Sequence, residues 1–265
     1  MGTGSVGTGS EDGGATWPVG IAASWGLRER PGKGPRPGLT VDRIVDTAVG
    51  LAVGEGLAAV SMGRVAKELG VSTMSLYRYV TSKDELLVLM QEAAFGLPPE
   101  RDEPDLTWRE ALSDWAFDQR AVLGRHLWIL HVPIVGPPAT PNSVAWMERG
   151  LAALRDTALG PGEKLAVIQL VSGFVRTDTR LMADMGSAMA ATGATVAQLM
   201  NGYNTLLGEL IDSPRFPEVA AVVESGVMAH EDGPDDGFTF QRECLLDGVA
   251  QLVRRAERGR GEGEG

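Results

Sequence analysis

The sequence predicts an all-α protein, with a small helical module near its N-terminal end and a larger helical body behind it. Three observations carry that prediction. Four short segments between Leu39 and Gly96 each open on a capping residue and continue with apolar side chains at helical spacing. Further segments with the same periodicity follow, several of them separated by breaks such as Gly136-Pro137-Pro138, Gly160-Pro161-Gly162 and Gly233-Pro234. No segment alternates convincingly with the period of two that a half-buried strand requires.

Residues 1–16 are rich in Gly, Ser and Thr and nearly free of large apolar side chains, a composition that predicts disorder. From Trp17 to Gly38 the chain becomes basic, with Arg28, Arg30, Lys33 and Arg36 set among Pro31, Pro35 and Pro37. Proline and glycine at that density oppose a regular helix, so residues 1–38 are read as a disordered start followed by an extended basic arm. Thr40 then caps a helix whose buried face is Ile44, Val45, Ala48, Leu51 and Ala52, with Leu39 and Ile44 as its hydrophobic staple. Ser61 caps a second helix stapled by Val60 and Val65, and Ser72 caps a third stapled by Val71 and Leu76. A fourth begins at Ser82, with Glu85 placed to complete a capping box. Residues 39–96 therefore form one compact module.

After a Pro- and acid-rich linker from Leu97 to Pro104, the body is expected over 97–257, with helices near 107–123, 126–133, 142–158, 162–184, 194–212, 216–229 and 238–257. Its apolar residues exceed what one helical layer can bury, so association of two copies through 162–184 and 238–257 is expected. Arg176, Asp178, Arg180 and Asp184 interrupt an apolar helix and read as salt bridges at helical spacing. Residues 258–265 are a Gly/Glu/Arg tail expected to fray.

The net charge of −11 is unevenly spread. Residues 27–83 carry nine Lys and Arg against five Asp and Glu, whereas the rest of the chain carries 15 against 30. A basic head on an acidic body suits a protein that grips a polyanion at one place only. The single cysteine, Cys244, excludes an intrachain disulfide framework and reads as a small buried hydrophobe. With no apolar run near the ~20 residues that span a bilayer and no secretory signal, a cytoplasmic protein without membrane contact is expected. His126, His131 and His230 lack ligand-like spacing, and Glu231, Asp232, Asp235 and Asp236 lack the pattern of a calcium loop, so no metal, cofactor or catalytic residue is expected.

The second and third helices have the parts of a helix-turn-helix. Ala66 lets the helices approach, Gly70 can take positive φ in the turn, and Leu76 points back into the core. The exposed face of the third helix then carries Ser72, Thr73, Ser75, Arg78 and Tyr79, a short polar and mildly basic surface fit for a major groove. The run Ser75-Leu76-Tyr77-Arg78-Tyr79-Val80 followed by Ser82-Lys83-Asp84-Glu85-Leu86-Leu87, and upstream Val60 to Val71, closely resemble the DNA-binding domain of the tetracycline-repressor family. A looser resemblance to the C-terminal domain of its actinobacterial members runs from Trp108 through Met182.

The resemblance implies roles residue by residue. Thr73 and Ser75 match positions that meet base edges or adjacent backbone; Tyr77, Tyr79 and Lys83 match phosphate-contacting positions, with Tyr77 alternatively a core residue. Ser61 matches a phosphate contact as well as a cap. Gly63 departs from the family, since relatives often carry a base-reaching side chain there, and Arg64 and Arg78 are placed to compensate. The family further implies a ligand-responsive repressor that binds a palindromic operator in double-stranded DNA as a homodimer. A small lipophilic effector, antibiotic- or polyketide-like, would release it. For the effector pocket the candidates are Met90, Gln91, Trp115, Asp118, Trp128, His131, Asn142 and Trp146, apolar walls with a few polar groups. The basic arm, Arg28 to Arg36, is expected to lie along a minor groove or phosphates, the alternative being a linker with Trp17 or Trp25 packed on the protein. Two other classes stay open at this point: a helical enzyme acting on a small molecule, and a DNA binder that needs no ligand.

Overall fold

The computed structural model describes residues 19–26, 38–100, 105–134, 136–211, 214–229, 233 and 235–263. Among these residues all regular structure is helical. The order is α1 (Val19–Ser24), α2 (Val41–Glu55), a 3-10 turn (Leu57–Ala59), α3 (Met62–Glu68), α4 (Thr73–Leu76), α5 (Lys83–Phe95), α6 (Trp108–Arg125), a 3-10 segment (Leu127–His131) and α7 (Pro141–Ala153). Then come α8 (Pro161–Thr192), α9 (Val196–Leu210), α10 (Pro217–Ser225), a 3-10 turn (Val227–Ala229) and α11 (Asp236–Gly263). The chain packs into two units, one made of residues up to Ala93 with 134–141, the other of 94–133 with 142–265.

In the first unit the expected caps form. The Thr40 hydroxyl accepts from the amide of Arg43, Ser61 from Arg64 and Ser72 from Ser75, each at 3.2 Å. One cap differs from expectation by a residue. Glu85 Oε2 accepts from the amide and hydroxyl of Thr81, while Ser82 Oγ accepts from the amide of Glu85. The carboxylate thus closes on the residue before the expected cap and is itself buried. Ile44, Ala48, Val60, Val65, Leu76, Val80, Leu86 and Met90 are fully enclosed and make the core of this unit.

The stretch expected to lack helix holds one. The six residues of α1 contain no proline; Pro18 and Pro31 flank it. After α1 the indole N–H of Trp25 donates to the carbonyl of Ala139 at 2.8 Å, and Thr140 donates its hydroxyl to Glu92 of α5. The loop before α7 is therefore held from two sides within the first unit. Residues 27–37, with all four arm cations, lie outside the described residues.

In the second unit α6 packs along α8, and α11 lays a stripe of Phe238, Arg242, Leu246, Val249 and Val253 into the core. Cys244 lies off that stripe and is exposed, contrary to expectation. Helix α8 runs to Thr192, past the expected end at 184, because the first residue to leave the helical region is Gly193 with φ 68°. Likewise α11 continues to Gly263 through the tail expected to fray, with Arg260 in its last turn where the helix dipole favours a cation. Helix α9 buries none of its residues and packs on α10 and the 3-10 turn after it.

Candidate DNA interface and ligand-binding body

Helices α3 and α4 meet through a turn closed by two backbone hydrogen bonds. Val71 N–H donates to Ala66 O at 3.0 Å and Gly70 N–H to Lys67 O at 3.2 Å, the six-to-one and five-to-two pattern that ends a helix on a left-handed residue. Gly70 takes φ +69°, which an L side chain rarely adopts. Ala66 is buried at the crossing and Leu76 is 0% exposed, so α4 is pinned with its other side toward solvent.

The polar residues expected to read bases are partly engaged within the head. Ser72 Oγ and Ser75 Oγ share a hydrogen bond at 2.9 Å, and Thr73 and Ser75 are half-buried. Arg64 is drawn back to Glu55 at 2.8 Å, with Glu68 at 3.8 Å, so its guanidinium is tied to the end of α2 rather than extended beside Gly63. Gly63 is exposed, and among the described residues a Cβ built there meets nothing within 4 Å. Tyr77 and Arg78 are exposed, Tyr79 is half-buried, and Lys83 stands exposed as the first residue of α5. Ser61 stays exposed while capping α3.

The expected effector residues divide in two. Met90 is fully buried in the core of the first unit, and Gln91 donates to Leu87 O at 3.4 Å on its own helix. In the second unit Trp115 donates its indole N–H to Trp146 O at 2.9 Å, and Trp146 donates to Gly96 O at 3.1 Å. Trp115 is 2% exposed and presses on Gly150, where a Cβ would fall 2.7 Å from the ring. Both indoles are buried, with Trp115 on α6 bonded to α7. Asp118 is paired with Arg149 at 2.7 Å, Trp128 is buried, Asn142 is half-buried, and His131 is exposed.

An open cavity of about 500 Å³ lies elsewhere in the second unit, between α6, α8 and the start of α11. Phe117, Arg120, Leu127, Thr179, Met182 and Asp235 line it. Arg120 is its built polar group. The guanidinium sits 4.4 Å over the Phe238 ring, pairs with Asp235 and lies 3.4 Å from Asp178. Burial raises the Asp178 carboxyl above the usual aspartate range, and Arg120 opposes the rise. Helical-spacing salt bridges were expected on this part of α8, and only Arg180–Asp184, at 3.7 Å, follows that pattern. Arg176 instead donates to the carbonyls of Ile129 and Val132, anchoring the 3-10 segment, and burial pushes its pKa down. None of the residues that line the cavity is among the eight expected to hold the effector. Among the described residues no group of three or more His, Cys, Asp or Glu is placed to hold a metal, and no helix is long and apolar enough to cross a membrane.

An all-α chain with a helix-turn-helix head and a separate helical body defines a class, the helix-turn-helix transcriptional regulators. Residues 44–90 match the model for bacterial regulatory proteins of the tetR family, and residues 99–253 match the tetracyclin repressor-like C-terminal domain. The chain belongs to the tetracycline-repressor family. It is 37% identical over 261 residues to the HTH-type transcriptional repressor DrrR1 of Streptomyces coeruleorubidus, covering 97% of this chain and 94% of that one. Among solved structures it is similar to Streptomyces coelicolor ActR in complex with actinorhodin, with TM-score 0.66, 29% identity, and coverage of 83% of this chain and 99% of ActR. ActR in complex with (S)-DNPA matches with TM-score 0.63 and 28% identity over 81% of this chain and 98% of ActR.

Proposed function

We propose that this protein is a homodimeric repressor that occupies a pseudo-palindromic operator and leaves it when a small lipophilic molecule binds its helical body. The observation that carries the reading is that one chain holds both parts of a ligand-gated switch. Its head presents a pinned, solvent-facing reading helix, and its body holds an open, mostly apolar cavity of about 500 Å³ with the paired Arg120 and Asp235 on its wall. A ligand acts as an inducer only through a difference in affinity for the DNA-binding and DNA-free conformations. The cavity beside Arg120 supports an effector with an aromatic or apolar body and a few oxygens, in line with the antibiotic- or polyketide-like class expected from the family. The two ActR complexes support an organic small molecule in that role. For the dimer, Leu165, Leu170 and Leu181 on α8 and Phe240 and Leu252 on α11 are exposed, and burying them against a second copy gives those apolar side chains a partner. The role assigned is regulation rather than catalysis.

Mobility-shift titration tests this on an operator selected from random-sequence DNA, with actinorhodin as the first effector probe. Two chains per operator and release of DNA by the probe are expected. Ala183→Trp, which fills the cavity, should suppress release while leaving operator affinity within about twofold of wild type. Release unaffected by that substitution removes the cavity from the reading. Operator binding insensitive to every small molecule tried marks a ligand-independent binder, and chemical conversion of the probe marks an enzyme.

A further inference from the structure

The outward face of α4 is not the polar surface its serines suggest. Ser72 and Ser75 bond to each other. Leu76, on the opposite side, is fully buried. What projects is Met74, 73% exposed, followed at the third and fourth positions by Tyr77, 42% exposed, and Arg78, also exposed. Tyr77, the C-cap of α4, keeps helical φ and ψ, so the thioether at i and the phenol at i+3 share one face, and the guanidinium of Arg78 follows in the turn. Single exposed apolar side chains are common on protein surfaces. This one stands on the helix that the turn at Gly70 and the buried Leu76 hold outward.

We infer that Met74 is a specificity-determining residue, which reads the C5-methyl group of a thymine in the major groove. Each base pair shows the major groove a distinct set of donors and acceptors, and the thymine methyl is its apolar feature. A thioether side chain has no strong donor or acceptor for the polar edges, but it is unbranched and polarizable and fits against a methyl. Docking α4 removes both apolar groups from water, so the contact favours thymine over cytosine at that position. The exposed Arg78 in the turn after α4 supplies donors for a guanine edge or a phosphate. The inference rests on the DNA-binding reading of the head and adds a base preference to it.

Deoxyuridine differs from thymidine only in lacking this methyl, which makes it the direct probe. Operator is selected from random-sequence DNA with the full-length protein, and each thymine of one half-site is replaced in turn by deoxyuridine. One position in the half-site should weaken wild-type binding by roughly fourfold, the scale of one buried methyl. Met74→Ala should bind the thymine operator weakly to a similar degree and should not distinguish thymine from uracil at that position. Because Met74 is exposed, thermal unfolding of the variant should match wild type. A wild type indifferent to every uracil, or a uracil effect of equal size in Met74→Ala, overturns the inference while leaving the repressor reading intact. Failure to select any operator overturns both.

Discussion

One added methyl at Gly150 on α7 has a predictable effect on stability. A Cβ there would lie 2.7 and 2.8 Å from Cζ2 and Cε2 of Trp115 and 3.1 Å from Cγ2 of Ile168. Relaxed carbon contacts lie near 3.5–4.0 Å, so the ring or the helix must retreat by roughly 1 Å. The ring has little freedom to do so. Trp115 is 2% exposed, and its N–H is bonded at 2.9 Å to Trp146 O on the same helix as Gly150. Overpacking of this kind costs about 1–3 kcal/mol, and loss of the indole hydrogen bond adds about 1 kcal/mol. Replacing Gly by Ala inside a helix returns about 1 kcal/mol. The net for Gly150→Ala is a destabilisation of about 2 kcal/mol, or a fall in Tm of roughly 4–8 °C for a chain of this size. Gly63→Ala is the matched control, because among the described residues a Cβ there meets nothing within 4 Å. It should gain up to about 1 kcal/mol from helix propensity alone. Thermal unfolding followed by circular dichroism measures both. A Gly150→Ala protein as stable as wild type would refute the claim that α6 and α7 close on each other through Trp115 with no slack.

Lys83→Ala should weaken binding to operator and to unrelated DNA alike and reduce the slope of log affinity against log salt by about one, because one phosphate contact is lost. An unchanged slope would separate the start of α5 from the DNA backbone. Glu243 of α11 is held below the usual carboxylate range, first by the hydrogen bond from Arg109 of α6 and then by Arg242. A depressed folded pKa contributes stability that is present above the unfolded value and lost as pH falls through the folded one. Glu243→Gln should therefore lower Tm near neutral pH and flatten the acid limb of the Tm–pH curve. Parallel curves for the two proteins would show that this ion pair does not tie α11 to α6.

Much of the head was legible because its signals are local. A Ser or Thr cap, its staple and a turn glycine act within a few residues, and Thr40, Ser61, Ser72 and Gly70 all do what their spacing implied. Glu85 shows the limit of such reasoning, since Thr81 offers both an amide and a hydroxyl one residue before the expected partner. The body was legible as helices and much less as a site. Large indoles suggested pocket walls, and the spacing did not show that the N–H groups of Trp115 and Trp146 would be bonded to backbone carbonyls. The cavity gathers Phe117, Arg120, Thr179 and Asp235 from distant parts of the chain, and nothing in their local spacing announces it. Cys244 among leucines looked buried, yet it lies off the stripe from Phe238 to Val253 that faces the core.

The bonds from Trp25 to Ala139 and from Thr140 to Glu92 make the first unit discontinuous in sequence, since residues 134–141 join it only after 94–133. That has a consequence for biosynthesis. When Phe95 leaves the ribosome, α2 to α5 have been made, but the segment that ties Trp25 and Glu92 together has not. At about 5–20 residues per second, the head waits roughly 2–10 s for its last piece. In that interval α2 to α5 must hold together on their own apolar core, before the bonds to Ala139 and Thr140 can form. An isolated head ending near Gly96 would remain permanently in this unfinished state, missing two hydrogen bonds that the full chain supplies.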